Sequence, residues 1–323
     1  MKVLVTGGAG FIGYHCAKAL LEQGHSVHVL DNVNDYYNPQ IKLARIKQLE
    51  HFGRFSFQKG PLENADFVNH QFAHFGPEKV LHLAAQAGVR YSLTHPHAYV
   101  QSNVVAFVNI LEACRHFGKP RLVYASSSSV YGGNTRLPFS VSDRVDTPIS
   151  LYAATKKANE LMAHTYTHLY AMETVGLRFF TVYGPWGRPD MAMWLFADAI
   201  LADRPIQVFN HGDMYRDFTY IDDIVQGTLA CLNVSQIAPY EVFNLGNHRS
   251  EHLLALIDLI EQTLGKKAKR ELLPMQPGDV QSTYADIEHA QNVLGFHPTT
   301  PIQSGVPQFL KWFVEHPEFH TGR

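Results

Sequence analysis

Tyr152 and Lys156 stand four residues apart, so on a helix their side chains share one face. A run of four serines, Ser126 to Ser129, precedes them. A free tyrosine titrates near about 10 and is a poor base at neutral pH. A neighbouring ammonium and a cationic ligand would favour the phenolate and lower that value. Such a phenolate can take a proton from a substrate hydroxyl, with a serine at the strand end completing the proton path. An isolated Tyr-x-x-x-Lys is more often a pair of surface residues. Here the serine run and a glycine loop near the N-terminus weigh for chemistry.

That loop is Gly7-Gly8-Ala9-Gly10-Phe11-Ile12-Gly13, which follows the apolar run Val3 to Thr6 and opens a helical segment. In a strand–turn–helix setting, glycines let the backbone approach a pyrophosphate, and free N–H groups at the helix N-terminus face its charge. Asp31 ends the next apolar run, 18 residues after Gly13. A carboxylate there accepts hydrogen bonds from an adenosine ribose diol and repels a 2′-phosphate, which favours NAD over NADP.

These residues need a sheet to hold them. Short β-branched or apolar runs (Val3 to Thr6, Val27 to Leu30, Phe55 to Phe57, Val80 to Ala84, Leu122 to Ser126, Val175 to Phe179) alternate with helical segments, which predicts an α/β chain with a Rossmann-type, doubly wound parallel sheet. Asn38 before Pro39 reads as a helix start, and Phe11 to Gln23 ends at Gly24. After Phe180 the pattern turns to Pro-, Gly- and aromatic-rich loops, Val242 to Leu245 reads as one more strand, and Ser250 reads as the cap of a helix reaching about Leu264. Residues 1–180 and 222–249 are therefore expected to form the dinucleotide-binding domain. Residues 181–221 and 250–323 are expected to form a smaller, discontinuous substrate domain.

The 323 residues are 46% hydrophobic and 17% charged with a formal net charge of −2, so no global field favours nucleic acid or an anionic membrane. Cys16, Cys114 and Cys231 lie far apart without metal-ligand spacing, which suits a reducing cytoplasm. No export signal and no membrane span is expected. His164 and His168 are an i, i+4 pair without a third ligand, so no metal site is expected. Lys266, Lys267, Lys269 and Arg270 read as a solvated helix end. Trp186 and Trp194 could line a pocket or fill a core.

At these motifs the chain resembles the extended short-chain dehydrogenases/reductases, a superfamily of nucleotide-sugar epimerases, dehydratases and decarboxylases, over nearly its whole length. More narrowly, the strings Asp31 to Tyr37, Ala85 to Ser92, Ser150 to Glu160 and Arg178 to Asp190 are similar to those of UDP-glucuronate 4-epimerases. The resemblance makes Tyr152 and Ser127, with Ser129 beside them, the catalytic set, and Lys156 the residue that holds the cofactor ribose. It extends the cofactor set to Phe11, Ile12, Asn32, Leu62, Leu83, Ala84, Ala85, Gln86, Asn103 and Phe179. Thr181 and Arg188 match positions that hold a sugar carboxylate, Arg216 matches a diphosphate ligand, and Arg90, Ser128 and Val208 complete the substrate set. Gln276 and Asp279 fall where the superfamily holds the nucleotide, often with Arg at the first of the two; Gln276 brings no charge, so more of the diphosphate would rest on Arg216. Many relatives also place an Asp against the adenine amino group where this chain has Pro61.

The resemblance implies an enzyme with tightly held NAD, regenerated each turnover, acting on a UDP-sugar as a homodimer. Tyr152 would deprotonate the sugar 4-hydroxyl as hydride leaves C4, and the 4-keto sugar would turn over and be reduced on its other face. A 4-ketone beside a C5 carboxylate is a β-keto acid prone to lose carbon dioxide, so the carboxylate must be restrained. Decarboxylating and dehydrating relatives carry a Glu just before Val-Tyr-Gly, whereas this chain has Ser128-Ser129 before Val130-Tyr131. A 4-epimerase of neutral UDP-hexoses, or a non-catalytic NAD-binding scaffold, are the alternatives; whether Arg188 meets a carboxylate separates the first, and turnover the second. The dimer is expected through segments 96–117 and 151–170, using Val104, Phe107, Val108 and Leu111 in one, Leu161, Met162 and Leu169 in the other.

Overall fold

β-Branched and aliphatic runs become strands and the stretches between them helices. In the computed structural model, which describes residues 1–320, these are β1 (Lys2–Thr6), α1 (Phe11–Glu22), β2 (Ser26–Asp31), α2 (Pro39–Leu49), β3 (Phe55–Lys59), α3 (Ala65–Phe75) and β4 (Lys79–His82). Two short turns, α4 (Tyr91–Thr94) and α5 (Pro96–Tyr99), then lead through a π-helical turn at Val100–Val105 into α6 (Ala106–His116). β5 (Arg121–Ser127), α7 (Leu151–Tyr170) and β6 (Thr174–Phe179) follow.

Beyond β6 the chain leaves the main sheet for β7 (Thr181–Tyr183), α8 (Ala192–Leu201), β8 (Pro205–Val208), β9 (Tyr215–Arg216) and β10 (Phe218–Tyr220). It returns with α9 (Ile221–Asn233) and β11 (Tyr240–Leu245), then ends in β12 (Glu251–His252), α10 (Leu253–Leu264), β13 (Lys269–Leu272), α11 (Glu288–Leu294) and α12 (Ile302–Glu315). The seven-stranded sheet runs β11-β6-β5-β4-β1-β2-β3 with every neighbour parallel. Helices cover both faces, so β1 and β6 are buried through almost their whole length. The strand order reverses between β1 and β4, and the crevice beyond the strand C-termini at such a switch point is where doubly wound sheets take ligands.

Local chemistry sets most boundaries. Asn38 accepts from Gln40 N–H at 3.0 Å ahead of Pro39, Asn64 caps α3 through Phe67 N–H, and Ser150 caps α7 through Ala153 N–H at 3.1 Å. Gly24 carries φ +80° just past the end of α1.

Two differences from the expected boundaries bear on the site. Strand β4 stops at His82 rather than Ala84, because the next four residues turn out to form part of a cavity wall. Ser250 does not cap α10: Glu251 and His252 pair with Arg216 and Tyr215, the helix begins at Leu253, and the Ser250 hydroxyl donates instead to Thr283 O. The tryptophans fill core. Trp194 is buried among Phe309, Trp312 and Phe313, and Trp186 packs on Tyr14, Trp312 and Phe319. The basic run is paired rather than merely solvated: Lys267 and Arg270 engage the buried Glu261, and Lys269 engages Asp203. Among the described residues no cluster of His, Cys, Asp and Glu is arranged to hold a metal, and no helix is long and apolar enough to cross a membrane.

Candidate active site

A cavity of about 820 Å³ opens at the C-terminal edge of the sheet. One wall is the glycine loop. A Cβ on Gly13 would lie 2.2 Å from Gly7 O, one on Gly10 2.9 Å from the same oxygen, and one on Gly7, at φ +71°, 2.5 Å from Ala84 N. No side chain caps α1, so the N–H groups of its first turn remain for a ligand. Asp31 accepts from Ala9 N–H at 3.1 Å and Val33 N–H at 2.8 Å. Burial raises its pKa, while those bonds and the charges of Lys42 and Arg45 pull it back. A carboxylate has acceptor capacity for more than two bonds, so Asp31 both ties the loop and keeps lone pairs for a diol. This cradle, which a side chain would fill, fits a dinucleotide pyrophosphate and its adenosine ribose.

The second wall is set by α7. Tyr152, Lys156 and Glu160 recur at four-residue intervals and face the sheet together. Lys156 Nζ donates to Ala125 O at 2.9 Å. Glu160 accepts from Ser126 Oγ at 2.7 Å and from Arg178 Nε at 2.8 Å and Nη2 at 2.9 Å. Arg178 also donates to Tyr131 Oη, which donates on to Asn244. This buried network locks the register of α7 against β5 and β6, where Ser126 pairs with Arg178 and Ser127 with Phe179. Ser126 is thereby consumed, and Ser127 faces the cavity, donating to Ser129 Oγ at 3.1 Å and accepting from Ser129 N–H.

The electrostatics differ from the sequence expectation in one respect. Burial pushes the Tyr152 phenol above 10; a hydrogen bond with Ser127 and then the Arg188 charge draw it back down. Burial lowers Lys156 itself to about 8 and its ammonium is turned to the Ala125 carbonyl. Arg188 is a cation acting on the phenol.

Arg188 lines the cavity together with Thr181 and is paired side-on with Asp190: Nε to Oδ1 at 3.0 Å and an Nη to Oδ2. Burial alone would lower the guanidinium pKa, but the Asp190 carboxylate outweighs it and holds the charge. At the open end, Arg90 Nη2 donates to Asp279 Oδ2 at 2.9 Å while its guanidinium covers the Phe209 ring, and Arg216 donates to the Tyr215 and Gln281 carbonyls. Burial lowers the Arg216 pKa; Asp279 raises it and Arg90 lowers it, which puts the three charges in one field.

Of the residues expected from the sequence, three lie off the cavity wall. Asn103 sits behind it, its amide donating to Gln86 O at 3.0 Å and Thr155 Oγ1 at 3.1 Å while its Oδ1 accepts from Gln86 N–H at 2.8 Å. Val208 is fully buried at the end of β8, and the neighbouring Gln207 and Phe209 face the cavity instead. Gln276 accepts Asp279 N–H through its carbonyl but does not reach the wall. The remaining expected residues all line it, Asn32 and Leu62 included. Arg45 was not foreseen. It is fully buried and donates to Ala9 O, Tyr37 Oη, Trp186 O and Gly187 O, stitching the glycine loop to the loop that carries Arg188. Its signal was a charged residue at the centre of the apolar face Ile41, Arg45, Leu49 of α2.

The comparisons with known proteins agree with this geometry. Residues 3–246 match the model of the NAD dependent epimerase/dehydratase family. The chain is 51% identical to Protein CapI of Staphylococcus aureus, over 98% of this chain and 99% of that protein. It is 48% identical to UDP-glucuronate 4-epimerase 3 of Arabidopsis thaliana, over 97% of this chain and 76% of that one. The crystal structure of a UDP-glucuronic acid 4-epimerase from Bacillus cereus, in complex with UDP-glucuronic acid and NAD, superposes with a TM-score of 0.93 at 35% identity, covering 98% of this chain and 99% of that one. With its glycine cradle, its Tyr152 and Lys156 on one helix face and a family match across most of its length, this chain belongs to the NAD dependent epimerase/dehydratase family.

Proposed function

We propose that the protein interconverts UDP-glucuronate and UDP-galacturonate by NAD-dependent inversion at sugar C4, through a transient 4-keto sugar. What carries the reading is the convergence of Tyr152, Ser127, Thr181 and Arg188 on the cavity that the glycine loop also lines. The Gly7–Gly13 loop, Asp31 and Lys156 would hold NAD, which would supply a reversible acceptor for the C4 hydride. Tyr152 takes the 4-hydroxyl proton with Ser127 orienting that hydroxyl, and gives it back when the ketone is reduced. Thr181 and Arg188 hold the carboxylate out of alignment with the ketone, which restrains loss of carbon dioxide. Arg216 and Arg90 balance the diphosphate. Incubation with UDP-glucuronate, followed by NMR of the anomeric protons, should show UDP-galacturonate growing to a fixed ratio; an unchanged spectrum, or a UDP-pentose as main product, would overturn the reading.

One observation favours a second substrate class. The Arg188 charge is already met by Asp190, so a neutral UDP-hexose would leave no bare cation in the pocket. Turnover of UDP-glucose as fast as UDP-glucuronate would select that reading.

Residues 1–180 and 222–249, which contain every strand of the large sheet, are assigned to NAD binding, and 181–221 and 250–323 to the nucleotide sugar; residues 321–323 lie outside the described part. Limited proteolysis that cut freely inside 181–221 with UDP bound would oppose this division. A homodimer through α6 and α7 is supported by the exposure of Leu161 (58%) and Leu169 (59%). Phe107 and Leu111, expected at that face, instead pack on the sheet and are fully buried. Sedimentation showing only a 36.4 kDa species at micromolar concentration would remove the dimer. The three cysteines are separate buried thiols, in keeping with a reducing cytoplasm; recovery of the protein outside the cytoplasmic fraction would contradict that location.

A further inference from the structure

The arginine assigned to the substrate carboxylate is gripped by an anion of the chain's own. Asp190 takes the Nε side of Arg188 with both of its oxygens, and Tyr36 Oη donates to Asp190 Oδ2 at 3.0 Å. The segment carrying the pair is fixed: Arg45 donates to Trp186 O at 2.7 Å and Gly187 O at 2.8 Å, and His15 donates its Nε2–H to Pro185 O at 2.9 Å. Burial lowers His15 to about 4, so this strut stays neutral across the working range. The pairing is therefore a built feature, and a guanidinium with five N–H groups has three left for a ligand. Both side chains remain about a quarter exposed and line the cavity. Both charges act on the Tyr152 phenol, Arg188 lowering its pKa and Asp190 raising it.

We infer that Asp190 is a specificity-setting residue: it cancels much of the Arg188 charge and presents the free Nη edge to the sugar, so that the pocket prefers anionic over neutral UDP-hexoses less than a bare arginine would. The inference rests on Arg188 meeting the sugar carboxylate. A carboxylate on the free edge lies across one guanidinium from the Asp190 carboxylate, and two like charges at that spacing in a half-buried site repel. A neutral sugar avoids the repulsion, and its 6-hydroxyl can accept from the same free Nη edge.

The test is a set of dissociation constants, measured by calorimetry on the NAD-loaded protein, for UDP, UDP-glucose and UDP-glucuronate. Asp190→Asn keeps the shape and removes the charge. It should bind UDP-glucuronate about tenfold more tightly, bind UDP-glucose no better, and leave UDP within about twofold. Asp190→Ser gives the same sign should the amide variant fold poorly. Weaker UDP-glucuronate binding, or an equal change for all three ligands, overturns the inference by making Asp190 only a brace. Arg188→Gln run in parallel separates the two levels: a loss confined to UDP-glucuronate upholds the carboxylate contact whatever Asp190 does, whereas equal losses for all three ligands remove that contact and the inference with it.

Discussion

The two faces of the cavity are built in opposite ways. The cofactor face is made by backbone over a few consecutive residues: Gly7, Gly10 and Gly13 touch one another, and the N-terminus of α1 supplies its donors without any side chain. The face we assign to the sugar is made by charged side chains from distant segments. Arg188 and Asp190 from one loop meet Tyr36 from another, and Arg90 meets Asp279 from 189 positions away. A backbone cradle has one shape and admits almost no substitution, whereas a wall of paired charges can be retuned residue by residue. The first should serve a fixed cofactor and the second a variable sugar.

Gly13→Ala offers the harshest test of that contrast. The new methyl would sit 2.2 Å from Gly7 O and 2.9 Å from Gly8 Cα, both backbone, so the loop must move. The variant is expected to purify without NAD and to show no turnover, while UDP still binds at the opposite end of the cavity. NAD retained at full occupancy would break the comparison. Tyr152→Phe should leave both faces intact and lower turnover by roughly 10²- to 10⁴-fold, the range for loss of a general base. UDP and NAD affinities should stay within a few-fold; turnover within a few-fold of wild type would take the proton transfer away from Tyr152.

The same contrast explains what could be read from the sequence. The sheet strands were legible because β-branched runs and glycine loops act over a few residues, and the cofactor loop and the Tyr152–Lys156 pair were legible for the same reason. The environment of that pair was not. That Lys156 turns to Ala125 O, and that Arg188 acts on the phenol, depends on how the chain packs around α7, which Glu160 and Arg178 hold against the sheet from 18 residues apart. Arg45 and Asp190 were visible as residue types, but their partners lie 141 and 154 positions away, beyond any local pattern. Val208, expected at the substrate, has its side chain buried, while the neighbouring Gln207 and Phe209 line the cavity.

The smallest expected effect tests this division between local and long-range signals within a single residue class. Asn38 and Ser250 were both read as helix caps from type and position alone. Asn38 is one, with its Oδ1 taking the Gln40 N–H at 3.0 Å, so Asn38→Ala should cost about 0.5 to 2 kcal/mol and expose the Gln40 amide to exchange. Ser250 was drawn out of that role by the pairing of Glu251 with Arg216, and its hydroxyl makes a 3.3 Å bond to Thr283 O. Ser250→Ala should therefore cost about 0.5 kcal/mol or less and leave the first-turn amides of α10 as protected as before. Urea unfolding with residue-resolved hydrogen exchange measures both. If Ser250→Ala loosened the α10 amides as Asn38→Ala loosens those of α2, the serine would be a cap after all, and the local pattern would have outlasted the tertiary pairing.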